Sequence, residues 1–280
     1  MEDIYSGPLE KIDLSSYDVD YLLVYRQIMD KTKFIYTLTG DDISVNTIEK
    51  INTQVYVGKG RYDQYGTVMD SIDPDDIKAE INALVSRAGY IERDPQFFEK
   101  YYARGNTQRD VYQPAEYKID PLDPSVRTKI KESLKSIAQE LRSKYDNISD
   151  ITVQYTVTRT KDDYTDNLDN HLTEERMLGH LAVQVELTEC RRIGYGEYDL
   201  EVAKGFSAAG TTGGAEIVFD NLRDVAYEAY RKASIQFDAK PLPVEPGSKV
   251  RVLMGGDVTG VFVHEMLGHM AEADSILEGN

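Results

Sequence analysis

The sequence predicts an α/β fold of the α+β kind, a mixed or antiparallel sheet flanked by helices. Three observations lead there. Runs rich in β-branched and aromatic residues are followed by segments of helical period, and this sheet-then-helix order occurs twice. Of the 280 residues, 41% are apolar, enough for a substantial core in one large or two ordinary domains.

Residues 1–16 are acidic and polar and read as a poorly ordered lead-in to an α/β domain covering 17–280. From Tyr21, the runs YLLVYRQI, KFIYTLT and TQVYVGKG are separated by Asp, Asn and Gly, and predict an antiparallel meander. PDDIKAEINALVSRA begins at Pro74 and spaces Ile77, Ile81, Leu84 and Val85 helically, with Asp73 placed to cap it. That helix should cover one face of the meander. The stretch 90–123 lacks a clean period and reads as a long excursion, with a short helix near Phe97. DPSVRTKIKESLKSIAQELRSKY then aligns Val126, Ile130, Leu134, Ile137 and Leu141 on one helical stripe. ITVQYTVTRT and HLAVQVELTECRRIGY predict two more strands. NLRDVAYEAYRKASIQF predicts a third helix, and KVRVLMG a strand leading into the last segment.

Asp and Glu outnumber Lys and Arg by 49 to 32, a net charge of −17 without a long basic run. Direct nucleic-acid binding is disfavoured, because neutralising phosphates needs clustered cations. No stretch is apolar for long enough to span a bilayer, and the start lacks the charged and apolar regions of a signal peptide. A single cysteine, Cys190, excludes an intramolecular disulfide framework, so the expected location is the cytoplasm.

Four features invite a chemical reading and give a plainer one. GFSAAGTT at 205–212 has P-loop glycine spacing, but Thr211 stands where the lysine must reach the phosphates, so it reads as a mobile surface loop. TKDDYTDNLDN gathers Asp162, Asp163, Asp166 and Asp169 without the glycine and final glutamate of a calcium loop, and reads as a solvated hairpin end. His171 and His180 show no ligand spacing and are structural or surface residues. Cys190, in a strand-like run, reads as a small core residue.

The segment VFVHEMLGHMAEAD, 261–274, is different, since it holds two of the four histidines. Val258, Phe262, Met266 and Met270 recur every four residues and predict a buried stripe, with Asp257 placed to cap the helix. His264, Glu265, His269 and Glu272 fall on one broad face expected to point away from that stripe. In an ideal α-helix a five-residue step sets Cβ atoms roughly 10 Å apart, too far for two imidazoles that must each come within about 2.1 Å of zinc. A π turn, at about 4.4 residues per turn, would bring 264 and 269 nearly into line, and Gly268 is the weakest helix former there. From spacing alone two readings stand: a metal pair with Glu265 placed to activate water, and a helix with two satisfied polar histidines.

The longer stretch KVRVLMGGDVTGVFVHEMLGHMAEAD resembles the signature of the TldD/PmbA metallopeptidase family, with agreement at Gly260, His264, Glu265, Gly268, His269, Glu272 and Asp274. VAYEAYRKASIQFDAKPLPVEPG is similar to the helix and linker that precede that signature. The resemblance implies a zinc-dependent peptidase of the TldD type acting on short or unfolded peptides: His264 and His269 bind Zn2+, Glu265 is the general base, and Gly268, Glu272 and Asp274 support them. It also implies a homodimer or a heterodimer with a TldD/TldE-like subunit. Family members are also described as modulators of DNA gyrase, a role the acidic charge disfavours as direct DNA contact. The family's β-rich C-terminal domain supplies a cysteine as third metal ligand. Here the sequence stops eleven residues after His269, and Cys190 does not match that position. The expectation is therefore an N-terminal fragment inactive alone. The alternative is a non-catalytic pseudo-peptidase whose HExxxH helix serves packing with a partner.

Overall fold

A computed structural model describes residues 9–38, 44–60, 63–88, 92–96, 110–194, 197–239, 243–245 and 247–268. The chain divides into two compact units, Met1–Ala239 and Lys240–Asn280.

In the first unit the meander forms as expected, with longer strands. YLLVYRQI and KFIYTLT fuse into one strand, β1 (Tyr21–Thr37), and TQVYVGKG is the second half of β2 (Ser44–Lys59). The intervening Asp30-Lys31-Thr32 lacks a Gly or Pro to turn the chain, and Asp30 pairs with Glu49 on one side and Arg159 on the other. Strand β3 (Asp63–Met69) completes the meander against β2. Helix α1 (Pro74–Arg87) starts where the sequence indicated: the Asp73 carboxylate accepts from the backbone N–H of Asp75 and Asp76, and Pro74 occupies the first turn.

Of the 90–123 excursion, the described part includes helical backbone at Pro95 and Gln96, where a short helix near Phe97 was expected, and a short strand, β4 (Asp110–Gln113); Phe97 itself lies outside the described residues. Helix α2 (Pro124–Lys144) buries Ile130, Leu134, Ile137 and Leu141. Strands β5 (Ile148–Asp166), β6 (His171–Gly194) and β7 (Glu197–Thr212) and helix α3 (Glu216–Asp238) follow. The sheet runs β3-β2-β1-β5-β6, and the far edge of β6 carries parallel β4 at His171–Glu174 and antiparallel β7 beyond Leu178. The fold is thus α+β, a mixed and mainly antiparallel sheet with helices.

Helices α1, α2 and α3 cover the same sheet face. Side chains alternate along a strand, and Leu22, Val24, Phe34 and Tyr36 of β1 are all even-numbered and buried. Leu22 and Val24 belong to a core with Val55, Val57 and Ile77, Ile81 and Leu84 of α1. Phe34 and Tyr36 belong to a larger core with α2 and α3. Ile12 and Leu14, inside the stretch read as a lead-in, are buried in the first of these cores. The opposite face exposes Tyr164, Leu178, Val202 and Phe206.

Two readings of the sequence need correction. The GFSAAGTT segment is part of β7 and not a loop. Its Gly205 lies against α3: a Cβ there would fall 1.9 Å from the Ala229 carbonyl oxygen and 2.4 Å from the Ala233 nitrogen. Helix α3 presents Ala226, Ala229 and Ala233, all fully buried, along that line, so small residues on both partners permit the close approach. The acidic TKDDYTDNLDN segment is not a solvated end either. Asp162 and Asp163 are completely buried in β5, and the turn proper is Asn167–Asn170.

Those two aspartates lie on opposite faces of the sheet. Asp163 shares the helix-covered face with Arg26, its cross-strand partner, and accepts from the Arg26 guanidinium, from Thr173 Oγ1 at 2.9 Å and shares a 2.7 Å contact with His171 Nε2. His171 is thus structural, and His180 is exposed, both as anticipated. On the open face Asp162 accepts from Tyr25 Oη at 2.5 Å, Gln27 Nε2 at 2.7 Å and Arg176 Nη2 at 2.7 Å. Burial alone would raise its carboxyl, but the Arg176, Tyr25 and Gln27 donors outweigh that and hold it below the usual range. The backbone of Cys190 lies in β6; its side chain is outside the described residues.

Candidate metal-binding helix

The signature segment belongs to the second unit. KVRVLMG does not form a strand: within Lys240–Asn280 it has no described strand to pair with, and a lone strand leaves its backbone ladder unmade. Helix α4 (Gly256–Val263) begins after an N-cap at Gly255, not at Asp257. Gly255 offers its carbonyl to Thr259, whose backbone N–H and hydroxyl both donate to it at 2.9 Å.

At His264 the helix widens. Residues His264–Gly268 form a π turn, the distortion the five-residue histidine spacing called for. The His264 N–H still donates to the Gly260 and Val261 carbonyls, so the change begins at its ring-bearing residue. A Cβ on Gly268 would meet His264 Nδ1 at 3.5 Å and Cγ at 3.8 Å, so the imidazole lies back over the Gly268 end of the turn. That is ordinary contact distance; the glycine eases the widened backbone without being sterically required there.

His264 and Glu265 are both exposed. His269, Glu272 and Asp274 lie outside the described residues, and no distance joins them to His264. Among the described residues no group of three or more His, Cys, Asp or Glu is gathered closely enough to hold a metal ion. What the described part supplies is one imidazole, one carboxylate and a turn of π geometry. That donor set fits a borderline cation such as zinc as far as it goes, since imidazole nitrogen and carboxylate are among its ordinary ligands and bases.

The apolar stripe is present but exposed: Val258, Phe262 and Met266 are each at least half accessible, and Met270 lies outside the described residues. Glu265 does not point away from it. Seven residues complete nearly two turns, so Glu265 falls within about 20° of Val258 around the axis. With Met254, Val258, Val261, Phe262 and Met266 it lines an open groove of about 560 Å3. This juxtaposition of groove and glutamate was legible in the i, i+7 spacing, and reading the polar face by itself missed it.

Known proteins resemble this chain at two levels, in fold and in sequence. A solved structure of a candidate modulator of DNA gyrase from Bacteroides thetaiotaomicron superposes on 80% of this chain and 47% of its own, with a TM-score of 0.55 and 12% identity. At that identity the match speaks for the fold. In sequence, a metalloprotease of Methanocaldococcus jannaschii is 31% identical over 106 residues, 35% of this chain and 21% of its own length. A metalloprotease of Methanothermobacter thermautotrophicus is 36% identical over 77 residues, 27% of this chain and 16% of its own. The matched stretches therefore span well under half of these relatives. No protein-family model matches the chain. Fold and sequence neighbours agree with the TldD/PmbA resemblance read from the signature.

Proposed function

We propose that this chain carries the metal-binding helix of a TldD-type metallopeptidase, with zinc held by His264 and His269 and Glu265 as general base. The observation that carries the reading is the π turn at His264–Gly268. An i to i+5 pair on a regular helix cannot share one ion, whereas on a π turn the two positions stack along the axis. Two polar histidines serving only to face solvent have no need of that distortion, which disfavours the packing-helix alternative.

A zinc ion held there would supply Lewis acidity, polarising a peptide carbonyl and acidifying water. The chain's own residues do the rest. Glu265 takes the proton of the attacking water and returns it to the leaving amine, so that one proton passes from water to product and the C–N bond breaks as the C–O bond forms. Glu265 is one residue from His264 on the same turn, so a water beside the His264 imidazole is within reach of its flexible side chain. The third ligand is expected from a cysteine outside the present sequence, and Gly268, Glu272 and Asp274 are assigned supporting roles. Short or unfolded peptides, a cytoplasmic location and assembly with a like subunit complete the proposal.

Glu265→Ala in the full-length protein tests it. The variant should keep its metal and lose peptide hydrolysis by about 10²–10⁴-fold, the usual contribution of a general base; undiminished turnover removes Glu265 from the mechanism.

A further inference from the structure

The outer edge of β2 points to how this chain meets a second copy of itself. Strand β1 lies along β2 on one side from Ser44 to Gly58, whereas β3 lies along the other side only from Thr53 to Lys59. Residues 44–52 therefore form an edge with no neighbouring strand among the described residues, and 45–51 are all exposed. Such an edge presents backbone N–H and C=O groups that another strand can take up, and sheets usually blunt it with proline, a bulge or a very short strand. Here SVNTIEKIN has no proline, and its pairing with β1 shows no register shift. On the β7 side of the sheet the structure does supply cover, since Gln236 Oε1 of α3 accepts from the Lys204 N–H at 3.0 Å.

The side chains along 44–52 determine which strand fits. Val45, Ile48 and Ile51 are 39%, 44% and 38% exposed. A copy related by a two-fold axis runs antiparallel and sets one residue opposite itself. With Ile48 on the axis, Ile48 faces the partner's Ile48, Val45 the partner's Ile51, Thr47 the partner's Glu49 and Asn46 the partner's Lys50. Each apolar residue then meets an apolar one, and no like charges are opposed. Neighbouring registers lose this. Centring on Glu49 sets that carboxylate against its own copy and Ile48 against the partner's Lys50, and centring on Thr47 sets Val45 against the partner's Glu49. The match continues inward on the helix-covered face. Ile51 lies beside Ile28 of β1 and Val45 beside Phe34, and both β1 residues are buried core. The Ile48 register thus runs the apolar pair Ile28 and Ile51 into the partner's Val45 and Phe34. We propose that the 44–52 edge pairs antiparallel with the same edge of a second copy, centred on Ile48, so that one sheet continues across the dimer. This gives the assembly with a like subunit named above a surface, and it owes nothing to the metal chemistry.

Cysteine cross-linking and sedimentation velocity on the full-length protein test the joint. Opposite Cα atoms of an antiparallel pair lie about 4.5–5.5 Å apart, within the ~4.4–6.8 Å that a disulfide spans. Ile48→Cys should therefore give a covalent dimer on mild oxidation, with the disulfide mapped by mass spectrometry to position 48 of both copies. In the same register position 46 lies four residues from its own copy, about 14 Å along the strand, so Asn46→Cys should give none. Ile48→Lys opposes like charges at the axis and should weaken the dimer by about tenfold or more. Because Ile48 is exposed, its Tm should stay within about 2 °C of the native value. Mixing Ile48→Lys with Ile48→Glu should restore the dimer, since opposite charges then meet. A dimer untouched by Ile48→Lys, or one locked as readily by Asn46→Cys as by Ile48→Cys, overturns the inference by placing the contact elsewhere. A protein that stays monomeric overturns it as well, together with assembly through a second copy. None of these readouts involves metal or turnover, so the joint and the peptidase reading fail separately.

Discussion

Gly205→Ala places one methyl group where the sheet and α3 meet. Its Cβ would lie 1.9 Å from the Ala229 carbonyl oxygen, 2.4 Å from the Ala233 nitrogen and 2.9 Å from the Ala233 Cβ. Two of those three atoms are helix backbone, so no rotamer change relieves the overlap, and α3 must move off β7. Overpacking usually costs about 1–3 kcal/mol, and a backbone obstacle puts this site at the upper end. A stiffer unfolded chain returns about 0.4–1 kcal/mol, leaving a net loss of about 2 kcal/mol or more. For a unit of this size each kcal/mol lowers Tm by about 2–4 °C, so differential scanning calorimetry should show a fall of about 4–8 °C. Gly66→Ala is the control: its Cβ would meet nothing nearer than the Val55 carbonyl oxygen at 3.7 Å, and its Tm should stay within about 2 °C. If Gly205→Ala behaves like Gly66→Ala, the close helix–strand contact is wrong.

Two further perturbations test the polar elements of the sheet unit. Asp163→Asn should cost about 3–5 kcal/mol in urea denaturation, because it strands the buried Arg26 guanidinium. Replacing both with apolar residues, Arg26→Met with Asp163→Leu, should cost less than Arg26→Met and Asp163→Leu summed; a double variant as unstable as that sum would mean the pair is not coupled. Glu216 tests pH dependence. Burial raises its carboxyl, but the N–H groups of its own backbone, Gly214, Lys118 and Ile119 outweigh that and hold it below the usual range. Its folded pKa is thus below its unfolded value near ~4.3, so the contribution is complete above the unfolded value and is lost as pH falls through the folded one. Tm measured from pH 6 to pH 3 should therefore drop more steeply in the native protein than in Glu216→Gln; parallel curves would exclude Glu216 from acid lability.

How far the sequence foretold this structure depended on where each segment's partners come from. Helices α1 and α2 were readable because their caps and stripes are local: Asp73 and Pro74, and Ile130 through Leu141, act within one turn or one face. The error at 205–212 has a non-local cause. Glycines there resemble a loop until Ala229 and Ala233 of α3 are set against them, some twenty-five residues later in the chain. Asp162 and Asp163 misled in the same way, since what buries them comes from Tyr25, Arg26 and Gln27 of β1 and from His171, Thr173 and Arg176 of β6. Strand length was underestimated because β1 needs neighbours on both sides to carry Asp30 and Lys31 through its middle. At the candidate site the five-residue histidine spacing foretold the π turn correctly, because that is a constraint of one helix on itself. The relation of Glu265 to the apolar stripe also lay in the spacing; His269, Glu272 and Asp274 fall outside the described residues.

The central claim is that His264 and His269 hold one metal ion. Equilibrium dialysis against zinc, with metal content measured by mass spectrometry, tests it directly on the full-length protein, its His264→Ala and His269→Ala variants, and Glu265→Ala. About one zinc per chain in the native protein and in Glu265→Ala, with loss from both histidine variants, is the predicted result. Zinc retained by both histidine variants, or absent from the native protein, would contradict the account.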